Sequence, residues 1–284
     1  MNRFIFVTLS AVCLAVPATA HAAESFEGCR HEVTSLPAVL SSQGVWCLKG
    51  DLATSITTGP AITIAANNVT LDCNGFKLGG LAAGASTQAY GVEIAGRGGA
   101  AVRRCNIRGF IFGVFANGGR GAIVEDNLFE GNTVAGVTTV NSPGVVIRRN
   151  LITDTGGSTS DTGAAGIVTW GEAHVIDNII SGVAGNGIGA NIVYGIQANE
   201  AEGTFTGNRI AGLLPDGAVP TVGISVDDAN GAIIAGNLIN GAGIAESRGI
   251  DCDSTLAVAR DNTFMRVDEG VTGCASVGNH VGTD

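Results

Sequence analysis

Short apolar runs alternate with clusters of Gly, Asn, Asp and Ser along nearly the whole chain. The apolar positions do not follow the spacing of a helix, so the pattern predicts brief strands joined by tight turns. Each run begins at a Gly-Val or Gly-Ile pair, as at Gly136-Val137 and Gly166-Ile167. A strand-rich unit that recurs every roughly 20–30 residues is typical of a solenoid.

An asparagine recurs at one place in this unit and is followed by apolar residues, as in Asn178-Ile179-Ile180. Asparagine tolerates left-handed backbone and forms local hydrogen bonds, so it suits a tight turn. Identical asparagines stacked at the strand spacing of about 4.8 Å can also hydrogen-bond to one another as a ladder. The predicted ladder consists of Asn106, Asn127, Asn150, Asn178, Asn208, Asn237, Asn262 and Asn279.

The repeat predicts an all-β fold, a parallel β-helix of about nine coils, because stacked coils can bury the apolar face that one unit cannot. The stretch 61–76, with Asn68-Val69-Thr70 at its centre, resembles the first coil of right-handed parallel β-helix proteins of the pectate-lyase-like superfamily. This resemblance implies a right-handed solenoid. It leaves function open, because the architecture hosts lyases, hydrolases, epimerases, adhesins and binding proteins.

The two ends and the charge predict the compartment and exclude some partners. Residues 1–22 have a basic start, an apolar run and a small-x-small end, as in a secretory signal peptide, so we expect a secreted or periplasmic protein. Residues 23–60 lack the repeat and predict an N-terminal cap with a first strand, and residues 61–284 the β-helix domain. No further run is long enough for a membrane span. Without Arg3 the net charge is 14 − 25 = −11, which argues against nucleic acid as a partner, and we expect a monomer.

Six cysteines remain after the predicted signal peptide, an even number that indicates disulfides in an exported chain. The repeat register places Cys73 beside Cys105 and Cys252 beside Cys274 on neighbouring coils, which leaves Cys29 and Cys47 for the N-terminal region. Free buried thiols are the alternative. Metal binding is disfavoured because the chain has no Cys-x-x-Cys.

The repeat length varies at only one corner of the predicted coil. Insertions lie between each asparagine and the next glycine, and they are longest in the middle coils, at 153–165, 181–194, 211–222 and 240–248. Insertions on one edge of a solenoid are typical of a binding face, although surface loops also drift in length at little cost.

The strand after each insertion predicts two rows of outward side chains, since side chains alternate along a strand. The first row is Glu93, Phe115, Thr138, Val168, Gln197, Ser225, Asp251 and Thr272. The second row is Ala95, Asn117, Val140, Trp170, Asn199, Asp227, Asp253 and Cys274. Acidic residues gather at one end of these rows.

The acidic end has three functional interpretations. The carboxylates are hard oxygen ligands suited to Ca²⁺, they can perform acid–base chemistry on a glycosidic bond, or they can bind sugar hydroxyls beside Trp170 or Tyr194. A solvated acidic face without function is the alternative. The sequence predicts catalytic roles for Asp227, Asp228, Asp251, Asp253 and Arg248, Ca²⁺ binding by Asp227, Asp251 and Asp253, and substrate binding by Trp170, Gln197, Asn199 and Glu200.

The resemblance to particular enzymes of the superfamily is partial. Asn199-Glu200 and Asp227-Asp228 resemble the acidic motifs of polygalacturonases, but the Gly-His-Gly and Arg-x-Lys motifs of that family are absent. A pectate lyase pairs bound Ca²⁺ with a base, a role that the resemblance assigns to Arg248. We therefore expect an exported carbohydrate-directed protein, a polyuronate lyase or related glycan-active enzyme. The alternative is a non-catalytic glycan-binding or surface-structural protein.

Overall fold

A computed structural model describes residues 28–187, 191–215, 217 and 219–282. These residues form a parallel β-solenoid of about nine turns, which confirms the predicted fold. The predicted signal peptide lies outside the described residues. Within these ranges, no helix has the length and apolar character that a membrane crossing requires.

Each coil contributes up to three strands, called here first, second and third in chain order. The first strands are Ala38–Leu40, Thr58–Ile64, Gln88–Ala95, Phe112–Asn117, Ala135–Val140, Thr221–Asp227, Arg248–Cys252 and Glu269–Thr272. The second strands are His31–Val33, Gly44–Leu48, Val69–Asp72, Ala101–Arg103, Ile123–Glu125, Val145–Arg148, Ile233–Ala235, Val258–Arg260 and Ala275–Val277.

Two long strands, Ala164–Ile176 and Val193–Thr206, run through both positions and join the first and second strands into one sheet. The third strands form a separate parallel sheet. They are Leu52–Ala53, Lys77–Gly79, Asn106–Arg108, Leu128–Glu130, Leu151–Thr155, Ile179–Ala184, Arg209–Leu214, Leu238–Asn240, Thr263–Met265 and His280–Val281. A single 3₁₀ turn at Leu81–Ala83 is the helical element that the described residues contain.

The in-register stacking of the first strands builds the core and sets the outward rows. Ile167, Ile196 and Ile224 pair in successive coils and are fully buried, as the alternation predicts. Outward residues also pair at equal positions, as in Gln197 with Ser225. The predicted register of the first outward row is therefore confirmed.

The glycine before each inward Val or Ile is required by close packing. A Cβ atom on Gly195 would lie 2.5 Å from the Ile210 side chain and 2.6 Å from the Gly223 carbonyl oxygen. Real Cβ atoms do not approach other atoms this closely, so only glycine lets the first strand start against the third strand of its own coil. This explains why the repeat carries a glycine here.

A ladder of buried asparagines runs down one corner, as predicted. The Nδ2 of Asn178 donates to Oδ1 of Asn208 at 3.0 Å and to the carbonyl of Ile147 at 2.9 Å, and its Oδ1 accepts from Asn150. The same pattern links Asn127, Asn150, Asn178, Asn208, Asn237, Asn262 and Asn279. Each asparagine therefore satisfies two backbone groups of the preceding coil and bonds to the asparagine side chain of the following coil.

The prediction that Asn106 belongs to this ladder is wrong by one residue. Asn106 pairs with Leu128 in the sheet of third strands, whereas the backbone N–H of Cys105 donates to Oδ1 of Asn127. Cys105 thus occupies the ladder position and is bonded to Cys73 of the preceding coil. At this end of the ladder, a disulfide between neighbouring coils replaces the hydrogen bonds between asparagines.

All three predicted disulfides are present: Cys29–Cys47, Cys73–Cys105 and Cys252–Cys274, with Cα–Cα distances of 5.7, 4.7 and 5.1 Å. Bonds of this kind persist in oxidising compartments, in agreement with the predicted secreted or periplasmic location. The segment predicted as an N-terminal cap continues the solenoid, because Gly44–Leu48 pairs in parallel with Val69–Asp72 and His31–Val33 pairs with Gly44–Leu48.

We predict that Asn178→Ala lowers the free energy of unfolding by about 2–4 kcal/mol, because it leaves the Ile147 carbonyl and the donors of Asn150 without their buried partner. Urea unfolding followed by circular dichroism measures the loss. The exposed Asn117→Ala is the matched control and should change stability little. Equal stability of the two variants would contradict the structural importance of the ladder.

Candidate functional site

The insertion after Leu151–Thr155 forms a wall at the start of the first strands, where its Asp161 and Ser160 accept hydrogen bonds from Gln88. The third strands Leu151–Thr155, Ile179–Ala184 and Arg209–Leu214 run into the predicted insertion segments, so the loops proper are shorter than predicted. The loops bond to each other: the Asn186 amide donates to the carbonyl oxygens of Asp161 and Gly163 at 2.9 and 2.7 Å. The face of first strands beside this wall is the candidate site.

Three outward rows cross this face in the middle and later coils. Trp170, Asn199 and Asp227 pair in register in one row, and Gln197, Ser225 and Asp251 in the next. A third row, nearer the wall, contains Tyr194, Val222 and Arg248. The structure therefore brings most of the predicted site residues onto one continuous surface.

Asp227 is the most perturbed carboxyl group of this face. Burial raises its pKa, a hydrogen bond from the Ser225 hydroxyl at 3.2 Å opposes the rise, and the carboxylates of Asp253, Asp251 and Asp228 add to it. Desolvation and neighbouring negative charge both disfavour the ionised form. Asp227 thus combines partial burial with a readiness to hold a proton, which is typical of functional carboxyl groups.

Arg248 and Asp251 form an ion pair next to Asp227. The Nη1 of Arg248 lies 2.7 Å from Oδ2 of Asp251, and its Nε lies 3.7 Å from Oε2 of Glu269 in the following coil. The hydrogen bond to Asp251 raises the pKa of Arg248 further above its ordinary value, and the charges of Asp251, Glu269 and Glu246 add to this effect. The guanidinium is therefore firmly protonated.

Tyr194 borders the same carboxylates. Burial raises the pKa of its phenol, and the negative charges of Asp227 and Asp251 raise it further, while Arg248 acts in the opposite direction. The phenol stays protonated and can donate a hydrogen bond. Asn199 pairs in register with Asp227, is only 7% exposed, and its amide nitrogen donates to the Thr169 carbonyl at 3.4 Å.

Two predicted site residues, Asp228 and Glu200, lie at the corner after the first strand. Their φ angles are 50° and 51°, in the left-handed region where polar turn residues and glycine are common. Asp253 accepts a hydrogen bond from the backbone N–H of Asp228 at 2.7 Å, so its carboxylate caps the same corner. All three therefore have a local structural role at the edge of the face.

The predicted Ca²⁺ ligands are engaged with other partners. Asp227 accepts from Ser225, Asp251 pairs with Arg248 and Asp253 caps the corner. Over the ranges that the structure describes, no group of three or more His, Cys, Asp or Glu side chains is arranged to hold a metal ion. Ca²⁺ binding by these three residues stays a prediction from sequence.

Sequence reasoning missed the groups that tune this site. Ser225 was assigned to an outward row without a role, and the contact of Glu269 with Arg248 depends on the following coil. The register of the strands would have predicted both, because Ser225 precedes Asp227 by two residues and Arg248 pairs with Glu269.

Comparisons with known proteins agree with the fold. A family model described as the right-handed β-helix region matches residues 56–191. The match covers just under half of the chain and agrees with the right-handed parallel β-helix fold that the sequence predicts. No curated protein sequence matches the chain significantly.

Solved structures with the same fold include bacteriophage tailspikes. The Dettilon tailspike protein is 13% identical with a TM-score of 0.57, and the alignment covers 89% of this chain and 61% of that one. The enzymatically active domain of bacteriophage CBA120 tailspike protein 2 is 15% identical with a TM-score of 0.54, over 80% of this chain and 38% of that one. At these identities the similarity shows a shared fold, and this chain spans less than two thirds of either protein.

We predict that Asp227→Asn stabilises the protein at neutral pH and not at acid pH. The folded-state pKa of Asp227 is raised, so the wild type is relatively stable below the ordinary carboxyl pKa of about 4 and loses that stability as pH rises through the folded pKa. The variant has no charge to bury, so its melting temperature should exceed that of the wild type at about pH 7, with a difference that disappears near pH 3. The exposed Asp261→Asn is the control, and a pH-independent difference would contradict the shifted pKa.

Proposed function

We propose that the protein is an exported glycan-active enzyme that cleaves polysaccharide on the outward face of the first strands, at Asp227. The partly buried Asp227 carboxyl, with its raised pKa beside the Arg248–Asp251 ion pair, is the observation that carries the proposal. The enzymatic activity of the tailspike domain that shares this fold supports the use of such a solenoid for catalysis.

Two carboxyl groups in unequal surroundings can divide the work of glycoside hydrolysis. Asp227, whose protonated form is favoured, donates its proton to the glycosidic oxygen as the bond to the anomeric carbon breaks. Asp251, which faces the guanidinium of Arg248, acts as the carboxylate partner that accepts a proton from the attacking water or attacks the anomeric carbon itself. Tyr194 and Asn199 supply hydrogen bonds to sugar hydroxyls.

The lyase interpretation from sequence assigns proton abstraction to Arg248. A base must first lose its proton, and the carboxylates around Arg248 raise its pKa, so this role is unfavourable. We therefore give Arg248 the role of orienting Asp251 and binding substrate oxygen atoms. Hydrolysis therefore replaces polyuronate β-elimination as the leading reaction. A β-elimination would be recognised by its unsaturated product.

A non-catalytic glycan binder is the second candidate. Trp170 favours it, because this side chain is 43% exposed in the same row as Asn199 and offers a flat apolar surface to a sugar ring. In such a binder the acidic residues would form hydrogen bonds to hydroxyls without bond cleavage.

The deciding experiment incubates the wild type with a panel of neutral, amino and acidic polysaccharides, and measures new reducing ends and unsaturated-product absorbance separately. We expect new reducing ends without unsaturated product on at least one polysaccharide. Asp227→Asn should lower kcat/KM by about 10²–10⁴-fold, the range for loss of a general acid. Asp261→Asn, a matched change at an exposed corner, should leave the rate unchanged.

The pH profile tests the role of Asp227 independently. Because the proton donor must be protonated, kcat/KM should fall as pH rises through the raised pKa of Asp227, and Asp227→Asn should lose this limb. Unsaturated product would identify a lyase instead. Binding of a polysaccharide without cleavage would favour the non-catalytic glycan binder. If the protein neither cleaves nor binds any polysaccharide of the panel, a glycan-directed function is refuted.

A further inference from the structure

Three aromatic side chains cluster on the same face, at its N-terminal end. The ring centroids of Tyr90 and Phe112 are 5.7 Å apart and stacked, and Phe115 lies 4.8 Å from Tyr90 and 5.7 Å from Phe112. Tyr90 and Phe112 occupy equal positions in neighbouring coils, and Phe115 pairs with Glu93 in the next outward row. We call these three residues the aromatic platform.

The platform does not belong to the core. Val92 and Val114 in the same strands are fully buried and point inward, whereas the three rings are partly exposed on the opposite side of the sheet. Only 5% of the chain is aromatic, so three rings together on an outward surface are a marked concentration. Clustered exposed apolar surface is typical of an interaction site.

A loop from a later coil forms a wall at the platform. The backbone N–H of Thr159 donates to the Ala85 carbonyl at 3.2 Å, and Nε2 of Gln88 donates to Oδ2 of Asp161 at 2.7 Å and Oγ of Ser160 at 2.9 Å. The loop that follows Leu151–Thr155 therefore reaches back across the intervening coils to the strand that holds Tyr90. Polar wall and apolar floor meet at this edge, the combination that binds amphipathic ligands.

The platform and the acidic site lie on the same face of the sheet and are joined by rows of stacked residues. In register, Phe112 leads through Ala135 and Ala165 to Tyr194. Phe115 leads through Thr138, Val168 and Gln197 to Ser225, the partner of Asp227. Ala135 and Ala165 of the first lane are only 0% and 3% exposed, so the accessible path follows the second lane, where Val168 and Gln197 are partly exposed. Three coil steps separate Phe112 from Tyr194, about 14 Å at the parallel strand spacing.

We propose that the aromatic platform binds a sugar ring of the same polysaccharide chain whose cleavage occurs at Asp227, several sugar units away. This inference rests on the proposed function. A pyranose ring presents an apolar face of C–H groups to an aromatic ring and hydroxyl groups at its edge to Gln88 and Asp161, so a sugar matches both the floor and the wall. Binding at both ends of the lane makes the protein select long chains and act within them.

The test compares Phe112→Leu/Phe115→Leu, which keeps apolar volume and removes two rings, with the wild type in affinity electrophoresis through gels that contain each polysaccharide of the panel. The control is the double variant Leu151→Ala/Ile179→Ala, which changes two exposed apolar residues in the sheet of third strands. We expect the ring variant to bind long chains about tenfold more weakly, a change of about 1.4 kcal/mol. Its hydrolysis of oligosaccharides too short to reach the platform should be unchanged.

The two proposals fail in different ways. If Asp227→Asn abolishes cleavage while the ring variant binds and cleaves long chains like the wild type, the platform proposal is wrong and the proposed function stands. If the wild type neither binds nor cleaves any polysaccharide, both are wrong. Hydrogen exchange of residues 156–163 separates ligand binding from loop anchoring. Ser158→Ala loosens the loop from inside, because the buried Ser158 hydroxyl accepts from the N–H groups of Ser160 and Asp161 and cannot touch a ligand. Faster exchange in the ring variant, together with an equal binding loss in Ser158→Ala, would assign the rings to holding the loop and overturn the proposal.

Discussion

The asparagine ladder is the constraint on which the solenoid depends. Each rung joins an amide of one coil to the amide of the next at 2.9–3.0 Å, and the same side chain also accepts from and donates to backbone groups. A buried side chain satisfies these bonds only if every coil returns the chain to the same point, one strand spacing further on. The segment from the glycine to its asparagine therefore varies little in length, because it has to close this geometry.

The constraint directs variation to the one corner that lies outside it. Insertions after the third strand do not disturb the ladder or the first-strand register, so the loops lengthen there and stack beside the first strands. The loop after Leu151–Thr155 is held to Gln88, which lies two coils before the coil of Leu151, and Asn186 bonds to the loop of the preceding coil. A rigid face beside an adaptable wall results, and this is the arrangement in which binding sites are usually found.

Parallel in-register stacking also explains why the charges of this protein divide into two kinds. At the corner between second and third strands, neighbouring coils carry opposite charges, and Arg149 lies 2.8 Å from Asp126 and 3.0 Å from Glu125. Asp72, which is almost fully buried, is likewise held by Arg103 and Arg104, and their charge lowers its pKa against the opposing effect of burial. On the first-strand face, by contrast, burial raises the pKa of Asp227, and the neighbouring carboxylates of Asp253, Asp251 and Asp228 add to the rise. Paired charges stabilise the coils, and the unbalanced ones mark the candidate site.

The solenoid, the first outward row and the disulfide partners could be predicted from the amino-acid sequence alone, because a parallel β-helix stacks corresponding residues of successive repeats. Counting from each glycine is then enough to predict neighbours such as Gln197 with Ser225, and it brings Cys252 within one repeat position of Cys274 on the next coil. The same counting misplaced Asn106, since its coil carries one more residue before the asparagine and Cys105 takes the ladder position.

Two kinds of contact could be seen only in the folded structure: those set by the direction of a side chain, and those made by loops whose sequences do not repeat from coil to coil. The pairing of Arg248 with Asp251, the capping of the corner by Asp253 and the aromatic platform each depend on rotamers and burial that repeat position does not specify. The loop from the coil of Leu151 reaches back to Gln88 through contacts between residues more than 70 positions apart. Such contacts have no periodic signal, because they follow from the shape of one particular loop.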